Sequence, residues 1–440
     1  MNALFRLAPF TSEEASRQWL VHLAETAIAA VHPFSLLPDQ LPEKPAGRTV
    51  VVGAGKAAAA MASALELAWV ERARNNGEAI DLDGVVVTRY KHGADCQHIE
   101  VLEASHPMPD ALGEQAAKRM LEAVKNLSEY DQVISLISGG GSALMTLPAA
   151  GISLKDKQAV NKALLRCGAP IRDINTVRRH LSGIKGGRLA AHAHPARVVT
   201  YLISDVPGDD PTLIASGPTL PDNSKPLDAM EILERHAIEV PDNVRQHLMA
   251  NHDAPQACSP EFARDQSMIL ARASDALEAA RLSAEKSAVD VRVLGDDLEG
   301  DARDLGIAQA HMVRKLQGEI TRPLLVLSGG ETSVTVRGDG RGGRNVEYLL
   351  GLFDTLEGAE GVYALAVDTD GIDGSEDNAG AVFGPESWKR AKALQLSARD
   401  YLNRNDAYSF FAAINDLVVT GPTRTNVNDF RAILVLPRPV

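Results

Sequence analysis

Apolar residues along this 440-residue chain change period repeatedly, and each change predicts an element. Thr11 and Glu14 have capping-box spacing, which predicts a helix from about Ser12 to Ala30 that ends before Pro33. Pro38, Pro42 and Pro45 then make a linker. From Thr49 short apolar runs alternate with helical stretches: strand Thr49–Val52, helix Ala57–Arg74, strand Gly84–Thr88, helix Leu112–Leu127, strand Gln132–Ile137, and a further strand Val198–Ile203. Strands alternating with helices at this spacing predict a parallel sheet covered on both faces. Between about Thr219 and Pro260 prolines interrupt the helical pieces. A second α/β unit follows, with helix Ser274–Ser287, strand Val289–Leu294, helix Gly300–Leu316 and strands Leu324–Leu327 and Val362–Val367. The predicted organisation is therefore an N-terminal helix and linker over 1–44, an α/β domain over 45–240 and a second α/β domain over 241–440.

Composition narrows the setting. A chain of this length exceeds what one hydrophobic core usually serves, in agreement with two domains. With 45% hydrophobic and 23% charged residues it reads as globular. The formal charge is −13 and no long Lys/Arg block occurs, which argues against a nucleic-acid partner. Local positive charge is still present at Lys56, Arg178, Arg179, Lys185, Arg188, Arg341 and Arg344. Three dispersed cysteines, Cys96, Cys167 and Cys258, fit a reducing, cytoplasmic compartment and neither a disulfide framework nor a zinc site. Met1 to Phe10 lacks the apolar run of a signal peptide, and Val50 to Val70 is broken by Gly53, Gly55, Lys56 and Glu66, so no membrane span is expected.

The chemistry is concentrated where predicted strands run into loops of glycine, serine and acid. Gly53-Ala54-Gly55-Lys56 follows the first strand, Ser138-Gly139-Gly140-Gly141-Ser142 a later one, and Ser204-Asp205 another. In the second unit Ser328-Gly329-Gly330-Glu331-Thr332 and Asp368-Thr369-Asp370-Gly371-Ile372-Asp373-Gly374 repeat the theme. Such loops lie at the carboxyl ends of α/β strands, where ligands bind. Glycine lets backbone N–H groups approach an anion, and carboxylates supply hard oxygen ligands for a metal. Gly338 to Asn345 adds two guanidiniums, Arg341 and Arg344, suited to bidentate recognition of phosphate or carboxylate. The first glycine loop also matches the start of a dinucleotide fingerprint, but the following strand ends in Thr88-Arg89-Tyr90-Lys91 in place of the acid that holds a ribose hydroxyl. No Walker A, H-R-D, D-F-G or H-E-x-x-H sequence is present.

Taken in order, these segments, with Ser182-Gly183-Ile184-Lys185-Gly186-Gly187-Arg188, Ile214 to Thr219, Gly342-Gly343-Arg344-Asn345 and Gly421 to Asp429, resemble the glycerate 2-kinase family, the class II glycerate kinases that include proteins labelled hydroxypyruvate reductase. The resemblance implies a two-domain α/β fold, a Rossmann-like parallel-sheet domain plus a smaller C-terminal α/β domain, with the active site in the cleft between them. It implies transfer of the γ-phosphoryl of ATP, with Mg²⁺, to the 2-hydroxyl of D-glycerate. The family's essential lysine corresponds to Lys56 and its essential arginine to Arg344. The expected catalytic set is Lys56, Arg344 and Asp205. Substrate and nucleotide are expected at Gly53, Gly55, Ser138, Gly139, Gly140, Gly141, Ser142, Lys185, Ser328, Gly329, Gly330, Glu331 and Asn345, and the metal at Asp370 and Asp373. The rival reading is an NAD(P)H-dependent hydroxypyruvate reductase, which leaves the other glycine and acid loops without a role. Whether the chain forms a homo-oligomer is left open.

Overall fold

The computed structural model describes residues 10–250 and 254–438. Apart from Phe10, the segment read as lacking a signal peptide lies outside the described residues. Contacts divide the chain into two compact units, Pro33–Leu270 and a second made of the residues up to His32 with those from Ala271 onward.

The Pro33–Leu270 unit is built on a six-stranded sheet: β1 Thr49–Ala54, β2 Leu82–Arg89, β3 Ile99–Ala104, β4 Gln132–Ile137, β5 Arg197–Ile203 and β6 Gln266–Ala271. Their spatial order is β3-β2-β1-β4-β5-β6. The pairings from β3 through β5 are all parallel, with Ala54 level with Val87 on one side and Ile137 on the other. Strands β1 and β4 are buried along their whole length, which is why they read as uninterrupted Val/Ile/Leu runs. Helix Ala58–Asn76 follows β1 and buries Ala58, Ala59, Ala60 and Ala62, whose small side chains let it pack against the strands, together with Met61 and Leu65. The strand order reverses between β1 and β4. At such a switch point the connections leave in opposite directions and open a crevice beyond the carboxyl ends of the strands.

The second unit carries a mixed sheet: β7 Asp290–Val293, β8 Leu324–Ser328, β9 Val362–Asp368, β10 Gly380–Phe383, β11 Leu417–Val418 and β12 Asp429–Val435. The order is β11-β10-β9-β12-β8-β7, antiparallel throughout except for β7 with β8. Helix Arg344–Leu356 covers the sheet with Val346, Leu349, Leu350 and Phe353, and Phe353 stacks edge-on against Phe383, Phe410 and Phe411.

The division expected at 240/241 falls instead at 270/271. Helix Asp242–Met249 packs on helix Pro226–Arg235, and β6 joins the first sheet, so residues 241–270 stay with the first unit. The N-terminal helix, observed at Glu13–Ala30, is not a separate element with its linker. It buries Trp19, Leu20, Leu23 and Ala27 and packs on helix Ala273–Glu285, β9 and β12 of the second unit. Among the described residues no helix is long and apolar enough to cross a membrane.

Candidate functional site

In the Pro33–Leu270 unit, β1, β4 and β5 are neighbours, so the loops that follow them emerge side by side at one edge of the sheet. Lys56, the Ser138–Ser142 loop and Asp205 are thereby brought to that edge. Close backbone approach explains the glycines. A Cβ on Gly53 would stand 2.3 Å from the Leu136 carbonyl, and one on Gly55 would stand 2.1 Å from the Ser138 hydroxyl. Gly55 also has φ +143, a conformation that side chains disfavour.

Two of the expected phosphate contacts have structural duties. Ser138 donates its amide to the Ala54 carbonyl, and its hydroxyl accepts from the Ala57 amide at 3.0 Å, tying the end of β4 to the start of the helix after Lys56. The Ser142 hydroxyl donates to Ser216 at 2.7 Å, and Ser216 donates to Asn175 at 2.6 Å. Ala215 and Ser216 both lie in the left-handed region, φ 50 and 61. Consecutive non-glycine residues held there store strain of the kind that collects at binding sites. The Lys56 amide donates to the Gly139 carbonyl at 2.9 Å. The Lys56 stem and the His106 ring both flank Gly140, which has φ +79. Among the described residues the amides of Gly139 and Gly140 have no acceptor within the protein. Half-buried Lys56 beside them makes this the part of the loop equipped for an anion.

Lys185, expected at the substrate, is fully buried and donates its ammonium to the Met145 carbonyl at 2.7 Å. Burial and the neighbouring Lys157 and Arg178 push its pKa well below the ordinary lysine value.

In the second unit Arg344 opens helix Arg344–Leu356 and is the hub of an acidic cluster. Its Nε donates to Asp429 at 2.8 Å, one terminal nitrogen to Glu331 at 2.8 Å and the other to Asp368 at 3.0 Å. Asp368 ends β9 and Asp429 begins β12, directly opposite each other in the antiparallel register. Facing like charges repel, and the guanidinium between them removes that cost. Arg431, opposite Ser328, neutralises Asp429 from the other side and donates to the Gly329 carbonyl at 2.8 Å. Burial alone would lower the Arg344 pKa, but Asp429, Asp368 and Glu331 outweigh it and hold the group well above its ordinary value. Sequence reasoning counted Asp368 among the loop carboxylates suited to a metal-bound nucleotide and gave Asp429 no site role. Their only local signals are the Asp368-Thr369-Asp370 run and the Asn428-Asp429 dipeptide.

Asp373, expected on a metal, caps that same helix. Its two oxygens accept from the amides of Asn345 and Val346 at 3.0 and 2.9 Å, a duty that Gly343 at the N-cap position cannot perform. Burial raises its pKa to about 6 against those bonds. The Asn345 side-chain amide bridges Asp373 and Asp429, so Asn345 braces the acids. Asp370 is buried and accepts from the Ile372 amide at 2.8 Å. Ser328 closes β8 and is buried. The Gly329 amide is taken by the Gly295 carbonyl at 2.8 Å, so that half of the Ser328–Glu331 loop holds a neighbouring loop. Gly330 accepts from the Asp429 amide, and Glu331 is the half-exposed partner of Arg344. Among the described residues no three His, Cys, Asp or Glu side chains gather as a closed metal cage. A Mg²⁺ bound with nucleotide phosphates needs only one or two carboxylates, and Asp205 and Asp370 remain of the right chemistry.

Comparison with known proteins agrees with this architecture. Residues 19–249 match the family model described as a domain of unknown function (DUF4147), and residues 324–429 match the MOFRL family. A protein of Agrobacterium vitis named putative hydroxypyruvate reductase is 47% identical over 96% of this chain and 95% of its own length. The D-glycerate 2-kinase of Thermotoga maritima is 36% identical over 94% of this chain and 97% of its own. The crystal structure of a Thermotoga maritima glycerate kinase superposes with a TM-score of 0.84 at 35% identity, covering 96% of this chain and all of that one. The chain belongs to the glycerate 2-kinase family, whose members also include proteins named as hydroxypyruvate reductases.

Proposed function

We propose that this protein transfers the γ-phosphoryl group of ATP to the 2-hydroxyl of D-glycerate, giving 2-phosphoglycerate and ADP. The observation that carries the reading is the edge of the parallel sheet at the β1/β4 switch point, where Lys56 adjoins glycine amides with no acceptor among the described residues. Phosphoryl transfer asks mainly for positioning and for charge to offset the equatorial phosphoryl oxygens. The glycerate oxygen forms the new bond to the γ-phosphorus as the bond to the β–γ bridging oxygen breaks, and the bonding pair leaves with ADP. Lys56 is the cation for the transferring group, and Asp205, on the neighbouring loop, accepts the hydroxyl proton. Arg344 acts through the acids it gathers, which supports Glu331 and Asp368 as members of the catalytic apparatus in the second unit. Mg²⁺ would be held through Asp205 or Asp370 with the nucleotide phosphates, and would supply charge neutralisation when bound. A cytoplasmic setting is proposed from the three free, dispersed cysteines.

The name carried by the 47% identical relative favours a reductase as second reading. Arg89 at the end of β2, where a dinucleotide fold of this type carries an acid for the ribose, weighs against it. The purified protein incubated with D-glycerate, ATP and Mg²⁺ and followed by phosphorus NMR tests the choice. A glycerate-dependent 2-phosphate resonance is expected. Oxidation of NAD(P)H by hydroxypyruvate without ATP turnover would overturn the proposal.

A further inference from the structure

Below the Ser138–Ser142 loop, and wholly within the Pro33–Leu270 unit, lies a small cavity of about 40 Å³. Lys157, Arg178 and Lys185 line it together with Ser142, Thr146, Asn161 and Pro107. Lys185 is fully buried and Lys157 nearly so. Each cation has one neutral partner: Lys157 the Leu147 carbonyl at 3.3 Å, Lys185 the Met145 carbonyl at 2.7 Å, and Arg178 the Asn161 side chain at 2.7 Å. The Thr146 hydroxyl, also buried, has no partner among the described residues. Among the described residues no carboxylate forms an ion pair with any of the three or raises its pKa. Burial, with Arg178 and Arg188 nearby, pushes Lys157 down to about 7, and burial lowers Arg178 to about 10. Asp222, a buried acid of the same unit, is engaged by Arg179 and by the Ser224 hydroxyl.

Buried charge without a counter-charge costs several kcal/mol per ion, and proteins normally pair or remove it. Three basic side chains with spare N–H donors around one polar cavity therefore lack the counter-charge that would hold them protonated, and an anion from outside the chain would supply it. The cavity volume admits an oxyanion of a few atoms and no more. It shares Ser142 with the loop proposed to meet the phosphoryl group. We infer that this cavity is an oxyanion pocket that takes the carboxylate of the acceptor acid, fixing its hydroxyl at the Ser138–Ser142 loop, with Lys157, Arg178, Lys185 and Thr146 as the specificity-determining residues. The assignment rests on the proposed acceptor, and it explains why an acid would be chosen over a neutral polyol.

Lys157→Met and Arg178→Gln test it, with ligand binding and thermal stability measured without ATP at constant ionic strength. D-glycerate should raise the melting temperature of the wild-type protein, and glycerol should not. Each variant should bind glycerate about 10- to 100-fold more weakly, the worth of one charge-assisted hydrogen bond. Neither should melt lower than the wild type without ligand, because each removes an uncompensated buried charge; a large loss of stability would show a structural role and overturn the inference. Glycerate binding at wild-type affinity in both variants would also overturn it. So would binding of inorganic phosphate that both variants abolish but glycerate does not displace, since the pocket would then serve a phosphate. The kinase reading is scored separately. If the wild type turns over glycerate and both variants keep its KM, the pocket falls and the kinase stands. If the wild type fails to turn over but glycerate binding is lost in the variants, the pocket stands and the kinase falls.

Discussion

Replacing Arg344 with alanine would leave Asp368 and Asp429 facing each other across β9 and β12 with half of their counter-charge removed. Their side chains are 4% and 0% exposed, so water cannot take over the role of the guanidinium. Breaking a buried ion pair by deleting one partner costs roughly 3–5 kcal/mol. Glu331, half exposed, adds about 0–1 kcal/mol at most. Arg431 and Asn345 still hold Asp429, which places the sum near the lower end, about 3 kcal/mol. For a unit of this size each kcal/mol lowers the melting temperature by about 2–4 °C, giving an expected loss of roughly 6–12 °C for the transition of the second unit.

Circular dichroism melts of the wild type, Arg344→Ala and the double variant Arg344→Ala/Asp368→Asn check this. The double variant should recover part of the loss, because one of the two facing charges is gone and contacting residues couple by about 0.5–3 kcal/mol. A single variant that melts with the wild type, or a double variant no better than the single, would refute the reasoning that Arg344 exists to hold the acids together.

Lys56→Ala should lose about 100-fold or more in glycerate-dependent ATP turnover while melting like the wild type, since it removes a charge at a loop and no core volume. Near-normal turnover would make Lys56 a solvated lysine. Gly55→Ala should fail in both stability and activity, because a Cβ at 2.1 Å from the Ser138 hydroxyl and 2.6 Å from its carbonyl forces β1 and β4 apart, and a melt within error of the wild type would refute the contact. Burial raises the Glu347 pKa from 4.5 to about 7, opposed by the hydrogen bond from Asn405. Its contribution to stability is therefore present below the ordinary carboxylate range and lost as the pH rises through about 7. Glu347→Gln should match the wild type at about pH 4 and melt above it at about pH 8, and the same difference at both ends would refute the shift.

The first sheet was legible because its strands are buried on both faces. Val50-Val51-Val52, Val133 to Ile137 and Val198 to Ile203 are apolar without interruption, and the helices between them keep their period. Strand β3 went unread because, at the edge of the sheet, it mixes Glu100 and Glu103 with Ile99 and Leu102 and is only half buried. β12 was missed for a different reason. It lies at the centre of the second sheet, yet its apolar run is interrupted by Arg431, a fully buried arginine whose partners are Asp429 and the Gly329 carbonyl. A charge in a strand reads as an exposed face unless its counter-ion is known.

The same asymmetry governs the site. Glycines at Gly55 and Gly140 announce themselves because backbone crowding and positive φ are local requirements that only glycine meets cheaply. Charges announce nothing about their partners. Arg344 lies 24 residues from Asp368 and 85 from Asp429, so its reading as an open anion receptor could not be weighed against the acids that fill its donors. Asp373 reads as a metal ligand in an Asp-rich turn, while its oxygens cap a helix 28 and 27 residues earlier. Lys157, on helix Leu154–Arg166, carries no signal in the sequence that sets it apart, yet it is buried beside the small cavity. The loops could thus be read as sites before the structure, whereas the roles inside them depended on which opposite charge the fold delivers. Where the fold delivers three acids, as at Arg344, the cation is spent on organising them. Where it delivers none, as at Lys157, Arg178 and Lys185, the missing charge is the one a substrate brings.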